Sequence, residues 1–374
     1  MKKLYIFCIS LLLTALAHAD DAQIEQVDKL FANKRACPLS QVQEILGEEA
    51  DAGYISTDGN SYLLILGRSL QDCPSMVQYF VDSGALETLS HGDATTGILP
   101  MNLLETDYIH YEESNYKGNK SANLLLSYIT DPTYKLLNHS FWRNASVEDL
   151  QSILPEADLN AETVVYVDWK KKANMKAVDF ALESKRPEML MALMAYTPEL
   201  SWQNEAGMTP LMRAAKYCDA SIVAAMIEAA GESINLRDGK DYSALNYAEF
   251  CSNGETVCNP EKSKLISAAM SPTQRMLSYT YWRYATPDQV KADIAAGADL
   301  NATMNTELGK QPVLWFAVVA SNDYNVIQLL LNSKVQKSYG TATNNIFDMV
   351  NYFRIYNDQD KMINFLMKNG IRKP

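Results

Sequence analysis

The 374-residue chain has no long apolar run beyond its first 16 residues, and its 16 Gly and 13 Pro are too few for a disordered or fibrous protein. Basic residues are also scarce: 33 Lys and Arg face 45 Asp and Glu, a formal net charge of −12. Because nucleic-acid binding depends on phosphate neutralisation, we predict no nucleic-acid partner. No later segment is apolar for 18 residues, so we also predict no membrane span in the exported chain.

Residue patterns typical of catalysis are missing as well. His91, His110 and His139 are far apart and lack the spacing of metal ligands. The chain has no G-x-S-x-G, no G-x-x-x-x-G-K-[ST], no G-x-G-x-x-G and no C-x-x-C. We therefore predict a protein that is not an enzyme and that uses no cofactor or metal ion.

The N-terminus has the pattern of a secretory signal peptide, residues 1–19. Lys2 and Lys3 precede an apolar stretch of 13 residues, and Ala17-His18-Ala19 provides a small-x-small cleavage site. The short apolar stretch and its two lysines are typical of bacteria, so we predict cleavage after Ala19 and a periplasmic location. Cleavage removes two of the 33 basic residues and leaves 31 against 45 acidic ones, a net charge of −14.

One stretch, Asn204 to Asp238, contains a turn, a helix start, two short helices and a second turn 34 residues after the first. Pro210 suits the first helical position because its missing N–H needs no partner there, and Thr209 can cap the exposed amides. The length and the Thr209-Pro210-Leu211 start resemble an ankyrin repeat. One such unit cannot bury its own apolar face, so the resemblance implies more copies.

The pattern of turn, helix, break and helix recurs along the chain. We predict an all-α fold, an ankyrin-repeat solenoid of about ten helix-turn-helix units with short hairpin turns, over residues 20–374. The pattern is clearest over 174–335, an irregular insertion lies near 105–120, and polar residues mark a C-terminal cap over about 343–374. Another pairing of the helices would keep the solenoid and change only the hairpin turns.

A longer internal similarity overlaps these units. Phe141-Trp142-Arg143-Asn144-Ala145-Ser146 returns as Tyr281-Trp282-Arg283-Tyr284-Ala285-Thr286, and Asp158-Leu159-Asn160-Ala161 returns as Asp299-Leu300-Asn301-Ala302. The offsets are 140 and 141 residues, which corresponds to about four ankyrin repeats.

Five cysteines of the exported chain are disulfide candidates, because export makes disulfides chemically possible. Cys37 and Cys73 occupy equivalent places in consecutive units, each directly before a Pro. Equivalent positions in stacked repeats are too far apart for a disulfide, so this pair requires a local distortion. Cys218, Cys251 and Cys258 form a second group in which any two could pair, and the odd total leaves one thiol over.

Aromatic residues suggest a partner surface, since 21 Tyr and 5 Trp stand against 10 Phe. Tyr and Trp favour interfaces because they combine a large contact area with a polar group. The resemblance implies that partners bind the concave surface of the array. The candidate residues for that surface are Trp169, Trp202, Arg213, Lys216 and Tyr242. Packing between repeats, or simple solvation, is the alternative role for each, and packing is favoured for Trp315.

Together these features predict a periplasmic ankyrin-repeat scaffold that binds a protein partner through its concave, hairpin-bearing face. A preorganised solenoid loses little entropy on docking. The acidic net charge favours a basic partner. The alternatives are an immunity protein that neutralises a secreted toxic effector, an enzyme or a regulatory subunit of a periplasmic enzyme whose site includes the Tyr108–Asn119 insertion, and a structural spacer.

Overall fold

The computed structural model describes most of the chain after residue 20. The described ranges are 21–32, 37–47, 51–69, 72–105, 119–166, 172–249, 260–306, 309–335, 340–341, 344–353 and 359–372. The chain forms two compact units, Met1–Pro198 and Glu199–Pro374. The predicted signal peptide, residues 106–118 of the predicted insertion, and the candidates Trp169, Cys251 and Cys258 lie outside the described residues.

The first unit consists mainly of short α-helices. Helix α1 covers residues 21–32. The helices that follow are α2 (Leu39–Leu46), α3 (Tyr62–Arg68), α4 (Pro74–Asp82), α5 (Pro100–Leu104), α6 (Lys120–Tyr128), α7 (Pro132–Leu136), α8 (His139–Asn144), α9 (Val147–Ile153), α10 (Ala177–Glu183) and α11 (Pro187–Met194). Cys37-Pro38 lies directly before α2, and α4 begins at Pro74, directly after Cys73.

The second unit has the same character. Its helices are α12 (Pro210–Tyr217), α13 (Ala220–Ala230), α14 (Ala244–Glu249), α15 (Pro260–Ala269), α16 (Pro272–Met276), α17 (Tyr279–Tyr284), α18 (Pro287–Ala295), α19 (Val313–Ala320), α20 (Tyr324–Leu331), α21 (Ile346–Phe353) and α22 (Gln359–Lys368). No described helix is both long enough and apolar enough to cross a membrane.

Antiparallel hairpins correct the expectation of an all-α chain. The paired strands are β1 (Glu162–Tyr166) with β2 (Lys172–Lys176), β3 (Thr303–Thr306) with β4 (Gly309–Pro312), and β5 (Gly340–Thr341) with β6 (Asn344–Asn345). The first strand contains Thr163, Val164, Val165 and Tyr166, which are β-branched or aromatic and therefore suit a strand. The fold is mostly helical, and these hairpins replace some of the short turns that we expected.

Many helices begin at a side-chain cap. Asn138 accepts a hydrogen bond from the Phe141 amide, and Ser278 accepts one from the Tyr281 amide. Several other helices begin with Pro, whose fixed φ suits the first turn. These caps satisfy amides that have no partner inside the helix, so they fix where each short helix starts.

Each unit has its own apolar core. In the first, the core includes the buried residues Val42, Leu63, Ile65, Met76, Phe80, Met101 and Leu125. In the second, it includes Met276, Trp282, Val290, Leu314, Phe316, Val326, Leu330, Val350 and Met362. Trp315 is only 2% exposed and packs edge-on to Tyr279, which agrees with a packing role for this residue.

The two similar segments, which are offset by 140 residues, also make the same contacts. The indole Nε1 of Trp142 donates to the Leu136 carbonyl over 2.8 Å, and that of Trp282 donates to the Met276 carbonyl over 2.6 Å. In both copies a threonine hydroxyl then accepts a hydrogen bond of 2.9 Å from the amide of an aspartate: Asp158 to Thr133, and Asp299 to Thr273. The chain therefore contains two copies of one three-helix module, α7–α9 and α16–α18.

One hydrogen-bonded turn recurs before the first helices of several helix pairs. In it, an amide donates to a carbonyl four or five residues later: Ser56 to Asn60, Asp93 to Ile98, Asn204 to Met208 and Asp238 to Tyr242. The last two turns lie close together, since a Cβ added to Gly207 would lie 2.6 Å from the Gly239 nitrogen. Gly207 also has a φ of 75°, so both its conformation and its surroundings require glycine.

Candidate functional site

Three of the five predicted partner-surface residues lie on helix α12 or just before helix α14. The Thr209 hydroxyl caps α12 by accepting a hydrogen bond from the Met212 amide over 3.2 Å. On α12, Arg213 lies one turn before Lys216 and Tyr217, so the three side chains share one side of the helix. Tyr242 lies in the turn that leads into α14.

Asp238 organises that turn. Its Oδ1 accepts hydrogen bonds of 2.8 Å from the amides of Lys240 and Tyr242, and its Oδ2 accepts one from the Tyr247 hydroxyl. Asp238 is 9% exposed, so these donors surround its carboxylate. The position of Tyr242 in the turn and that of Tyr247 on α14 are both set by this one side chain.

Tyr217, Tyr242 and Tyr247 form what we call the tyrosine cluster. The rings of Tyr242 and Tyr247 meet edge to face with centroids 6.1 Å apart. The Lys216 Nζ lies 4.8 Å from the centroid of Tyr217 and 5.7 Å from that of Tyr247. These distances lie within the range of about 6 Å for a cation–π interaction.

The cluster reaches solvent through α12. Tyr217 is 70% exposed, the largest exposure among the large apolar side chains of the described residues, and Lys216 is exposed as well. Burial and the adjacent Asp238 carboxylate raise the pKa of the Tyr247 hydroxyl well above its usual value, so it remains a hydrogen-bond donor at neutral pH. The site therefore presents tyrosine rings beside a lysine side chain.

A second cation supports the turn from its other side. The Arg237 guanidinium donates to the Asp241 carbonyl over 2.7 Å and to the Gln274 side chain. Burial lowers the pKa of Arg237, while Asp241 and Asp238 oppose that shift. Asp241 in turn accepts a 2.8 Å hydrogen bond from the Asn305 amide. The turn is thus fixed to α16 and to the β3–β4 hairpin.

The structure brings together Lys216 and Tyr242, and it places Arg213 on the same helix as Lys216. Trp202 is half-buried in the segment before the Asn204 turn. Sequence reasoning missed Tyr217 and Tyr247. Tyr217 could have been found, because it directly follows Lys216 on the helix that carries Arg213. No sequence pattern marks Tyr247, so it could not have been found in this way.

The first cysteine pair meets in the structure. Cys37 and Cys73 lie at disulfide distance with their Cα atoms 5.6 Å apart, inside the usual window. Cys73 directly precedes α4 and is 2% exposed. Both cysteines lie in non-helical segments before their helices, and this allows the approach that stacked helical positions would not. Cys218 is half-buried and bonds to neither of them.

Two buried glutamates hold helix starts at equivalent places in the units. Glu105 accepts hydrogen bonds from the amides of His139 (2.8 Å) and Ser140 (2.6 Å), and Glu249 accepts one from the Thr280 amide (2.7 Å). Burial raises the pKa of each carboxyl to about 7, against the opposing effect of these amides. Each carboxyl therefore joins the end of one helix to the start of a later helix.

Groups that could hold a metal ion do not gather in the described part of the chain. His91 contacts the Gly59 carbonyl at 3.1 Å, and the Nδ1 of His139 lies 3.8 Å from Glu183. His110 lies outside the described residues.

The ankyrin-repeat family model matches residues 206–239. That span contains the end of the Asn204 turn, α12, α13 and the start of the Asp238 turn. The chain therefore carries an ankyrin repeat inside a mostly helical fold, and ankyrin repeats are generally protein-interaction scaffolds. Curated proteins offer no match to the chain.

Proposed function

We propose that the protein is an exported, periplasmic ankyrin-repeat scaffold that binds another protein through the surface of α12 and α14, without catalysis. The observation that carries the proposal is the tyrosine cluster on that surface, next to the matched repeat. Exposed Tyr side chains on a rigid element offer contact area at a low entropic cost.

The cysteine pair supports the export part of the proposal. Disulfides persist in oxidising compartments such as the periplasm and are rare in the cytosol. The Cα separation of 5.6 Å between Cys37 and Cys73 suits such a bond. The sequence pattern at residues 1–19 independently favours export.

Affinity capture from periplasmic extract tests this function. The chain from residue 20 is immobilised, and retained proteins are identified by mass spectrometry. We expect one or a few proteins to be retained by the native chain and lost from Tyr217→Ser. The matched control is Tyr284→Ser, which removes a tyrosine of similar exposure (59%) from α17 in the same unit.

Two results would count against the proposal. If the native chain retains nothing above background, a binding role fails. If Tyr217→Ser and Tyr284→Ser reduce retention equally, the surface of α12 and α14 is not the binding surface. Fractionation of cells and the mass of the purified protein test the location, and an uncleaved cytosolic chain would contradict export.

A further inference from the structure

The Lys216 ammonium already occupies an aromatic site. It lies over the rings of Tyr217 and Tyr247 at 4.8 and 5.7 Å, and Tyr242 closes one side by its edge contact with Tyr247. We propose that the tyrosine cluster binds an arginine or lysine side chain of the protein partner, and that Lys216 fills the site in the unbound chain. This inference rests on the proposed protein-binding function.

Asp238 makes the site better suited to a cation. The Tyr247 hydroxyl donates to the Asp238 carboxylate, and this donation increases the electron density of the phenol ring. A cation over an aromatic face is attracted by the negative face of the ring, so a more electron-rich ring attracts it more strongly. Asp238 is 9% exposed, so it acts through the ring and its field and does not contact the partner directly.

The site is open to an incoming side chain. Tyr217 is 70% exposed, and Lys216 is an exposed residue with a long flexible stem in the last turn of α12. Lys216 can therefore swing into solvent while the rings stay in place. Tyr242 and Tyr247 are held by their bonds to Asp238, so the aromatic surfaces are fixed before the partner arrives.

The charge of the whole chain favours the same occupant. The exported chain has 31 basic and 45 acidic residues, and this net charge of −14 attracts cationic segments over the distance that ionic screening allows. Lys216 itself presents the competing possibility, because an acidic side chain could pair with its ammonium. The two occupants predict opposite effects when Lys216 is removed, so one substitution separates them.

The experiment uses the chain from residue 20 with ¹³C-labelled tyrosine rings, whose resonances are assigned from single Tyr→Phe variants. The probes are the N-acetylated and C-amidated peptide Gly-Gly-Arg-Gly-Gly and its counterpart with citrulline, which keeps the shape of arginine and removes its charge. We expect the Tyr217 and Tyr247 resonances to move with the arginine peptide and to stay in place with the citrulline peptide.

Two variants test the role of the internal lysine and of Asp238. Lys216→Ala should bind the arginine peptide about two- to fivefold more tightly, because the peptide no longer displaces a cation–π contact at an exposed site. Tyr247→Phe keeps the ring and removes the hydrogen bond to Asp238, so it should bind more weakly than the native chain. Lys291→Ala removes the same charge from the exposed surface of α18, and its affinity should remain that of the native chain.

Equal binding of the arginine and citrulline peptides would overturn the proposal, as would unchanged or weaker binding by Lys216→Ala. Tighter binding of a Gly-Gly-Glu-Gly-Gly peptide that is lost in Lys216→Ala would assign the site to an anion. If the captured partner depends on Tyr217 while the arginine peptide moves no resonance, the scaffold function stands and the cation site falls. If no partner is captured but the arginine peptide binds as described, the cation site stands and the scaffold function fails.

Discussion

Glu105 and Glu249 are 144 residues apart in the sequence and make the same kind of hydrogen bonds in the two units. Each ends or directly follows a short helix, is at most 5% exposed, and accepts amide hydrogen bonds from the start of a later helix. An anion at a helix N-terminus is favoured by the helix dipole, whereas burial of the charge opposes ionisation. Burial is the larger of the two effects, and the pKa of each carboxyl is about 7.

This balance predicts a pH dependence of stability. The pKa of Glu105 is about 7 in the folded chain, against an ordinary value of 4.5, so the folded state holds the proton more tightly. Its contribution to the free energy of unfolding is fully present below about pH 4.5 and is lost as the pH rises through about 7. Glu105→Gln should reduce the loss between pH 5 and pH 8 by on the order of 2–3 kcal/mol.

Urea unfolding of the two proteins at pH 5 and pH 8 measures that difference. Arg143 and Tyr134 face the same carboxyl, so their substitution would confuse the result and they are left in place. Glu156→Gln, which removes an exposed carboxyl from the same unit, is the control and should keep the native pH dependence. An unchanged slope in Glu105→Gln would show that this carboxyl is ionised across the range.

Gly207 offers a second test at the scale of one residue. A methyl group there would lie 2.6 Å from the backbone nitrogen of Gly239, and the φ of 75° is unfavourable for alanine. Gly207→Ala should lower the free energy of unfolding by about 3 kcal/mol, since conformational strain and a backbone clash add. Gly297→Ala has a similar φ of 88° but open space around its Cβ, so chemical unfolding should show a loss of about 1 kcal/mol. Equal losses in the two variants would show that the Asn204 turn and the Asp238 turn are not in close contact.

At the scale of helices, the sequence was most informative where a cap or a Pro marks an end. Helices α15 and α18 begin at Pro260 and Pro287, because Pro suits the first helical position. The β1–β2 hairpin was missed because a helical repeat was expected there, although Thr163 to Tyr166 has a strand composition. The resemblance to a repeat family outweighed a local pattern that was present in the sequence.

The tyrosine cluster could be predicted only in part. Lys216 and Tyr242 follow from their places in the repeat, on a first helix and beside a hairpin turn. Tyr247 joins them because α14 packs beside α12 and because Asp238 holds its hydroxyl, and neither contact is written in the local sequence. The approach of Cys37 to Cys73 likewise depends on non-helical backbone before α2 and α4.

Lys262 joins two helices and gives a prediction at this scale. Its Nζ donates to the carbonyls of Ala215 (2.7 Å) and Cys218 (3.0 Å), where α12 ends, and the residue is 7% exposed. Lys262→Met should destabilise the chain by about 2 kcal/mol, because the buried carbonyl of Ala215 and the half-buried carbonyl of Cys218 lose a charged donor. Amide hydrogen exchange should increase in the last turn of α12. Lys264→Met, an exposed lysine on the same helix, is the control, and an equal effect would remove Lys262 from this role.

For the molecule as a whole, the Cys37–Cys73 pair closes a loop with a sequence separation of 36. In the chain-entropy account, removing such a link lowers the free energy of unfolding by about 4 kcal/mol. We expect Cys37→Ala with Cys73→Ala to show this loss in urea, and reduction of the native protein to show a similar one. The double variant lacks this bond, so the reductant should affect it less than the native protein. Any remaining effect would come from a bond among Cys218, Cys251 and Cys258.

Peptide mapping without reduction identifies the bond directly. Native protein purified under non-reducing conditions should yield a linked peptide pair that contains Cys37 and Cys73. Alkylation of both thiols in the unreduced native protein would contradict the pairing. A linked peptide that joins Cys218 to Cys37 or to Cys73 would also contradict it.

The two copies of the three-helix module place different side chains on the same arrangement of helices. In the second copy, Arg275 pairs with the buried Asp293, and the Tyr281 hydroxyl donates to the same carboxylate over 2.6 Å. The first copy has Lys135, Ile153 and Phe141 at these positions, and it keeps the same helices, the same indole bond and the same threonine contact. The module therefore keeps its helices whether these positions hold the Arg275–Asp293 ion pair with Tyr281 or hold Lys135, Ile153 and Phe141.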